Sequence, residues 1–171
     1  MAFKKVFKMK KTILVILLMV ICICGCHVGT DKDTLQVKDT ILRYNQLLAE
    51  GYARMNMTPL KEVTTDEHAQ KVYHHMAALG EAKIRMESKL IDIEFSDIQF
   101  PKKDFTKVKT KEKWDYTHVN IGTKMPAQTV VQGLIYKLSY EIIKKNGKWL
   151  VSSVSVLEDV SKDKSLYSDR K

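Results

Sequence analysis

Past residue 26 this chain has no cysteine, and that absence narrows what the remainder can do. All three cysteines, Cys22, Cys24 and Cys26, lie near the N-terminus. A disulfide framework, a thiolate metal site and a cysteine nucleophile are therefore excluded from the rest of the chain, whose core must hold without staples. Acidic residues are also missing from the N-terminal stretch, where Asp31 is the first. The formal charge of +9 thus owes five units to Lys4, Lys5, Lys8, Lys10 and Lys11, and the chain after Cys26 carries only +4. So mild a balance gives no reason to expect nucleic acid as a partner. The sequence also has no internal repeat and no low-complexity tract.

What is present begins with an uncharged apolar run, Thr12 to Cys24, which follows Lys10-Lys11 and closes on Ile23-Cys24-Gly25-Cys26. A basic flank, a short apolar core and small residues before a cut site make the pattern of a secretory signal peptide. A membrane-spanning helix needs about 20 apolar residues, more than this run supplies. The aliphatic, small, small, Cys ending resembles the lipobox of bacterial lipoproteins. That resemblance implies cleavage before Cys26, a diacylglycerol on its thiol with acyl chains such as palmitate, and an anchored position on the extracytoplasmic face of a bacterial membrane. Met9-Lys10-Lys11 is itself a compact signal start, which leaves Met1 and Met9 both open as first residues. The expected organisation is a signal over residues 1–25, a polar tether over 26–33, one domain over 34–160 and a polar, disordered tail over 161–171.

Within the domain the hydrophobic period changes once. Val37, Ile41, Tyr44, Leu48, Tyr52 and Met55 recur at helical spacing, which predicts an amphipathic helix from about Thr34 to Asn56, ended by Thr58-Pro59. Thr64-Thr65-Asp66-Glu67 reads as a capping box that opens a second helix, with Ala69, Val72, Tyr73, Met76, Leu79 and Ile84 on its apolar face and an end near Glu87-Ser88. Ile91, Ile93 and Phe95 then alternate with Asp92, Glu94 and Ser96, which marks a strand. Ile98 and Phe100 take the opposite parity, so a bulge is expected near Ser96-Asp97. A second strand covers about Phe105 to Ile121 and a third about Thr129 to Lys145, carrying Val130, Leu134, Tyr136, Leu138, Tyr140 and Ile142 on one side. Asn146-Gly147 is the signature of a two-residue hairpin. It sets Lys144 against Trp149 and Ile142 against Val151, and by continuation Tyr140 against Ser153 and Leu138 against Ser155.

Two N-terminal helices followed by antiparallel strands predict an α+β domain, with the helices packed on a curved antiparallel sheet of about four strands. The order of elements and the hairpin from Leu134 through Asn146-Gly147-Lys148-Trp149-Leu150-Val151 resemble nuclear-transport-factor-2-like (cystatin-like) cone domains. Such a cone holds small-substrate isomerases, ligand binders and non-catalytic assembly domains, so the resemblance leaves function open.

Candidate chemistry is sparse. His68 and His75 lie two helical turns apart, too far to share one metal, and His74 points away from His75, so no metal site and no cofactor is expected; these histidines read as helix-flank residues. One parity of the second strand carries Trp114, Tyr116 and His118, which with Tyr136, Tyr140 and Ser153 would wall an aromatic ligand pocket. Asp115 takes the other parity from His118, which argues against a catalytic pair on that strand. The opposite face carries Lys107, Lys109, Lys111 and Lys113, a stripe suited either to an anionic surface or to keeping an exposed strand from pairing. The sequence therefore predicts a non-enzymatic, lipid-anchored envelope protein that binds a partner protein or a small ligand; the alternative is a small-molecule-binding or isomerase-like cone domain with an aromatic cavity.

Overall fold

A computed structural model describes residues 29–127 and 130–160. The signal, Cys26, the next two residues of the tether and the polar tail lie outside these residues. The described chain runs as helix α1 (Asp31–Arg54), a short 3-10 turn (Thr58–Glu62), helix α2 (Asp66–Glu81) and four strands, β1 (Ile84–Lys102), β2 (Phe105–Asn120), β3 (Val131–Lys145) and β4 (Lys148–Asp159). The strands form one open antiparallel sheet in the order β1-β2-β3-β4. Both helices pack on the sheet, which gives the α+β architecture that the sequence predicts.

Helix α1 starts three residues earlier than its periodicity suggests. Thr30 caps it by accepting the amide of Asp33 at 3.1 Å. Asp33, read from sequence as tether, accepts Lys144 Nζ at 2.7 Å and Trp149 Nε1 at 3.2 Å, so the start of the helix is fastened to the β3–β4 hairpin. Gly29 lies against the Phe100 ring, where a Cβ would come within 2.3 Å of the ring carbons. Met55 ends the helix in the left-handed region at φ 55°, and Pro59 enters the 3-10 turn.

The capping box of α2 is offset by one residue. Thr65, not Thr64, accepts the amide of His68, while Thr64 turns back to donate to the carbonyl of Leu60. Helix α2 ends at Glu81, well short of Glu87, because Lys83 takes φ 58° and Ile84 to Leu90 pair with Trp114 to Asn120 of β2. Cross-strand hydrogen bonds here override a helical period that continued by coincidence through Ile84. The expected bulge at Ser96 is present, since pairing skips from Phe95 to Asp97. A further skip between Leu90 and Asp92 leaves Ile91 unpaired and exposed rather than inward. Val130 is likewise exposed and precedes β3.

Hairpin register holds only near the turn. Lys144 opposes Trp149 and Ile142 opposes Val151, but the next pair is Glu141 with Ser153, so Ser152 is an extra residue. Its Oγ donates to the Glu141 carbonyl at 2.9 Å. Beyond this bulge Tyr140 faces Val154 and Leu138 faces Val156, in place of the two serines.

The core lies where α1 crosses the sheet. Val37, Ile41 and Leu47 meet Val72 and Met76 of α2, Leu60 of the turn, and Val108, Ile142, Trp149 and Val151 of the sheet. No helix among the described residues is long and apolar enough to cross a membrane.

Candidate functional site

The core is not filled along its whole length. Between α1 and the half of the sheet away from the two hairpin turns lies a cleft of about 390 Å³. Helix α1 supplies Tyr44, Asn45 and Leu48, α2 supplies His75, and β1 supplies Met86 and Ser88. The opposite wall comes from Glu112, Trp114, Tyr116 and His118 of β2, Tyr136, Leu138 and Tyr140 of β3, and Val154 of β4. A second hollow of about 400 Å³, between the 3-10 turn and α2, is lined by charged and exposed groups including Lys61, Asp66 and Tyr73. It holds none of the buried polar groups that mark the first.

Five of the six aromatic-pocket candidates, Trp114, Tyr116, His118, Tyr136 and Tyr140, line the cleft. Ser153 does not. The Ser152 bulge turns it to the face shared with Glu141, and Val154 takes its place. Strand alternation accounts for the β2 contribution, because residues two apart share a face. The Tyr116 and His118 rings stand edge to face with centroids 5.8 Å apart.

Beneath them is a carboxylate that the sequence reading passed over. Glu112 is fully buried. Its Oε1 accepts Thr110 Oγ1 at 2.9 Å and Tyr140 OH at 2.7 Å, and its Oε2 accepts Trp114 Nε1 at 2.9 Å. Thr110, Glu112 and Trp114 are consecutive inward residues of β2, so the strand itself preassembles two of the three bonds. An acid placed among the inward parity of Trp114, Tyr116 and His118 was the available signal. Burial, then the Glu112 charge, pushes the Tyr140 hydroxyl well above its usual range, which keeps its proton in place.

Asn45 completes the floor of the cleft. It is 1% exposed, and its Oδ1 lies 3.2 Å from Tyr140 OH while its Nδ2 has no partner. It too sat in plain view as a polar residue on the apolar face of α1, one position after Tyr44. Of the three histidines of α2, His74 and His75 are exposed, while His68 is not the flank residue expected. His68 is buried with Nε2 3.0 Å from Tyr44 OH, and His75 Nδ1 lies 2.5 Å from Tyr52 OH. Burial holds the His68 pKa below its ordinary value and raises that of Tyr52 to about 12.

Asp115 faces away from His118 and accepts the amide of Gly133 at 2.7 Å, fixing a bulge where Gly133 takes φ 68°. The lysine stripe is largely neutralised: Lys107 meets Glu141 at 2.9 Å, Lys109 meets Asp97 at 3.3 Å and Lys111 meets Glu94 at 3.8 Å. Lys113 stands opposite Asp92 in the ladder. Among the described residues no group of three or more His, Cys, Asp or Glu is placed to hold a metal ion.

No family model and no curated protein matches the chain. Solved structures do. The intermembrane space region of the chloroplast protein ARC6 superposes with a TM-score of 0.62 at 12% identity, over 75% of this chain and 98% of that one. A protein from Catenulispora acidiphila superposes with a TM-score of 0.51 at 11% identity, over 76% of this chain and 93% of its own. At such identities the likeness is one of fold.

Proposed function

We propose that this chain is a bacterial lipoprotein whose extracytoplasmic domain, a variant of the nuclear-transport-factor-2-like cone, binds a small and largely apolar ligand in the cleft between α1 and the sheet. The observation that carries this reading is the hollow itself: about 390 Å³, aromatic on most sides, with polar groups converging on its floor. A hollow with those dimensions favours a small molecule over a partner protein. Three donors already occupy the Glu112 side chain, which favours a binding floor over a free catalytic carboxylate.

The anchor reading rests on Ile23-Cys24-Gly25-Cys26, and the placement of the cleft supports it. The start of α1 lies beside both hairpin turns, since Asp33 bonds Lys144 and Trp149 and the Lys144 amide bonds the Asp104 carbonyl. Three Cα-to-Cα steps lead from Cys26 to Gly29, a reach of roughly 10 Å. A lipid on Cys26 would therefore hold the hairpin turns toward the membrane and turn the cleft away from it. The intermembrane space region of ARC6 likewise belongs to a compartment bounded by membranes.

Two measurements test the reading. Intact mass should show a diacylglycerol on the wild-type chain that is absent from Cys26→Ala; equal masses apart from the substitution would remove the anchor. Titration with the neutral probe phenethyl alcohol should quench Trp114 fluorescence saturably, and Ser88→Phe, which fills the hollow from β1, should abolish it. Linear, unsaturable quenching of the wild type would remove the cleft as a binding site.

A further inference from the structure

Hydrogen-bond accounting on the floor of the cleft shows what kind of head group it lacks. Tyr140 OH approaches both Glu112 Oε1 at 2.7 Å and Asn45 Oδ1 at 3.2 Å, yet a hydroxyl has one proton to donate. The shorter contact, to a carboxylate, takes it. Tyr140 must then accept from Asn45, which places the Asn45 NH₂ where the oxygen is drawn; the two orientations of an amide differ only in which atom is named nitrogen. The swap loses nothing, because the other amide position has no partner in either orientation. It leaves Asn45 Oδ1 as a buried acceptor without a donor. Glu112 adds to the deficit, since three bonds leave one lone-pair site on Oε2 vacant.

Charge points the same way. None of the residues that line the cleft is a lysine or an arginine, its basic side chains being His75 and His118, and no ion pair to Glu112 occurs among the described residues. Its three partners are neutral donors. Trp114, Tyr116, Tyr136 and Tyr44 line the same cleft, and the face of an aromatic ring attracts a cation.

We infer that the ligand of this cleft is an organic amine, bound as its ammonium ion, with the apolar body against the aromatic walls and the ammonium N–H groups directed at Asn45 and Glu112. This rests on the cleft reading above and adds the class of ligand. A buried carboxylate without a cation is costly, and an ammonium supplies both the missing charge and the missing donors.

The test uses the full chain in phosphatidylcholine nanodiscs, with empty nanodiscs subtracted, and three probes that share one body: phenethylamine, phenethyl alcohol and phenylacetate. Phenethylamine should bind at least roughly tenfold tighter than the alcohol, and phenylacetate weakest, followed by Trp114 fluorescence and by saturation-transfer NMR. Glu112→Gln should bring amine and alcohol to within roughly twofold of each other. The ranking on the wild-type chain stands whether or not that variant folds. Equal affinities for all three probes, or a preference for phenylacetate, would overturn the amine assignment while leaving the cleft a binding site. Absence of saturable binding by all three would overturn the cleft and the amine together.

Discussion

Replacing Tyr140 by Phe removes a single oxygen from the best-buried tyrosine among the described residues, and its consequences follow from the contacts on that atom. No cavity is opened, since the ring stays and continues to meet Tyr44 edge to face at 6.1 Å. What is lost is one of three donors to a fully buried carboxylate and the partner of the Asn45 amide. A hydrogen bond to a charged group contributes about 1.5–3 kcal/mol, and the orphaned amide adds to the cost, so the variant should lose about 2–3 kcal/mol. For a domain with this number of residues that is a fall in melting temperature of roughly 8–12 °C. Urea titration of the full chain in mild detergent, followed by far-ultraviolet circular dichroism, measures the first quantity, and a thermal scan the second. Tyr136→Phe serves as the control, because the residue is half-buried and its hydroxyl has no hydrogen bond among the described residues, and should change stability by less than about 0.5 kcal/mol. In a cycle with Glu112→Gln the two substitutions should fall short of additivity by about 1 kcal/mol or more. A Tyr140→Phe variant within about 0.5 kcal/mol of wild type, or full additivity in the cycle, would refute the network.

His68 should make stability depend on pH in the mildly acidic range. Burial lowers its folded pKa, so its contribution is complete above the unfolded value of about 6.5 and is lost as pH falls from there through the lowered folded value. Denaturation midpoints between pH 7.5 and 5 should therefore decline, and decline less in His68→Gln; parallel profiles would contradict this. Asp33 acts at lower pH. Lys144 first and Thr30 second hold its pKa at about 2, so its contribution is present above the unfolded value of about 3.9 and disappears as pH falls through 2. Asp33→Asn should flatten the stability profile between pH 4 and 2, and an unchanged acid limb would show that the α1 start is not fastened to the hairpin.

The elements were legible wherever local pattern and tertiary packing agreed. The stretch from Val37 to Tyr52 is helical by period, and its inward residues Val37, Ile41 and Tyr44 are buried. Asn146-Gly147 gave the hairpin, because only residues tolerant of positive φ close a two-residue loop, and both take it at 52° and 79°. Pattern failed where long-range pairing decides. Ile84 continues the spacing of α2, yet it pairs with Asn120 across the sheet. For the site, parity on β2 was enough to gather Trp114, Tyr116 and His118, since a strand offers no other choice of face. Glu112 obeys the same parity, so the strand alone turns this acid inward among the aromatics. Asn45 could be placed on the right face of α1, but its partner on β3 is 95 residues away, and nothing local signals that meeting.

The Ser152 bulge has a bearing on how this cleft can change. It inserts a single residue into β4, and everything outward of it exchanges faces. Insert one residue after Ser152 with the bulge kept, and every pair beyond it would shift by one, bringing Ser153 to the place opposite Tyr140 that Val154 now holds. One hydroxyl would replace one aliphatic group on the cleft wall without any side chain being mutated. The polarity of that wall is thus encoded in the length of the strand, and one codon gained is enough to rewrite it.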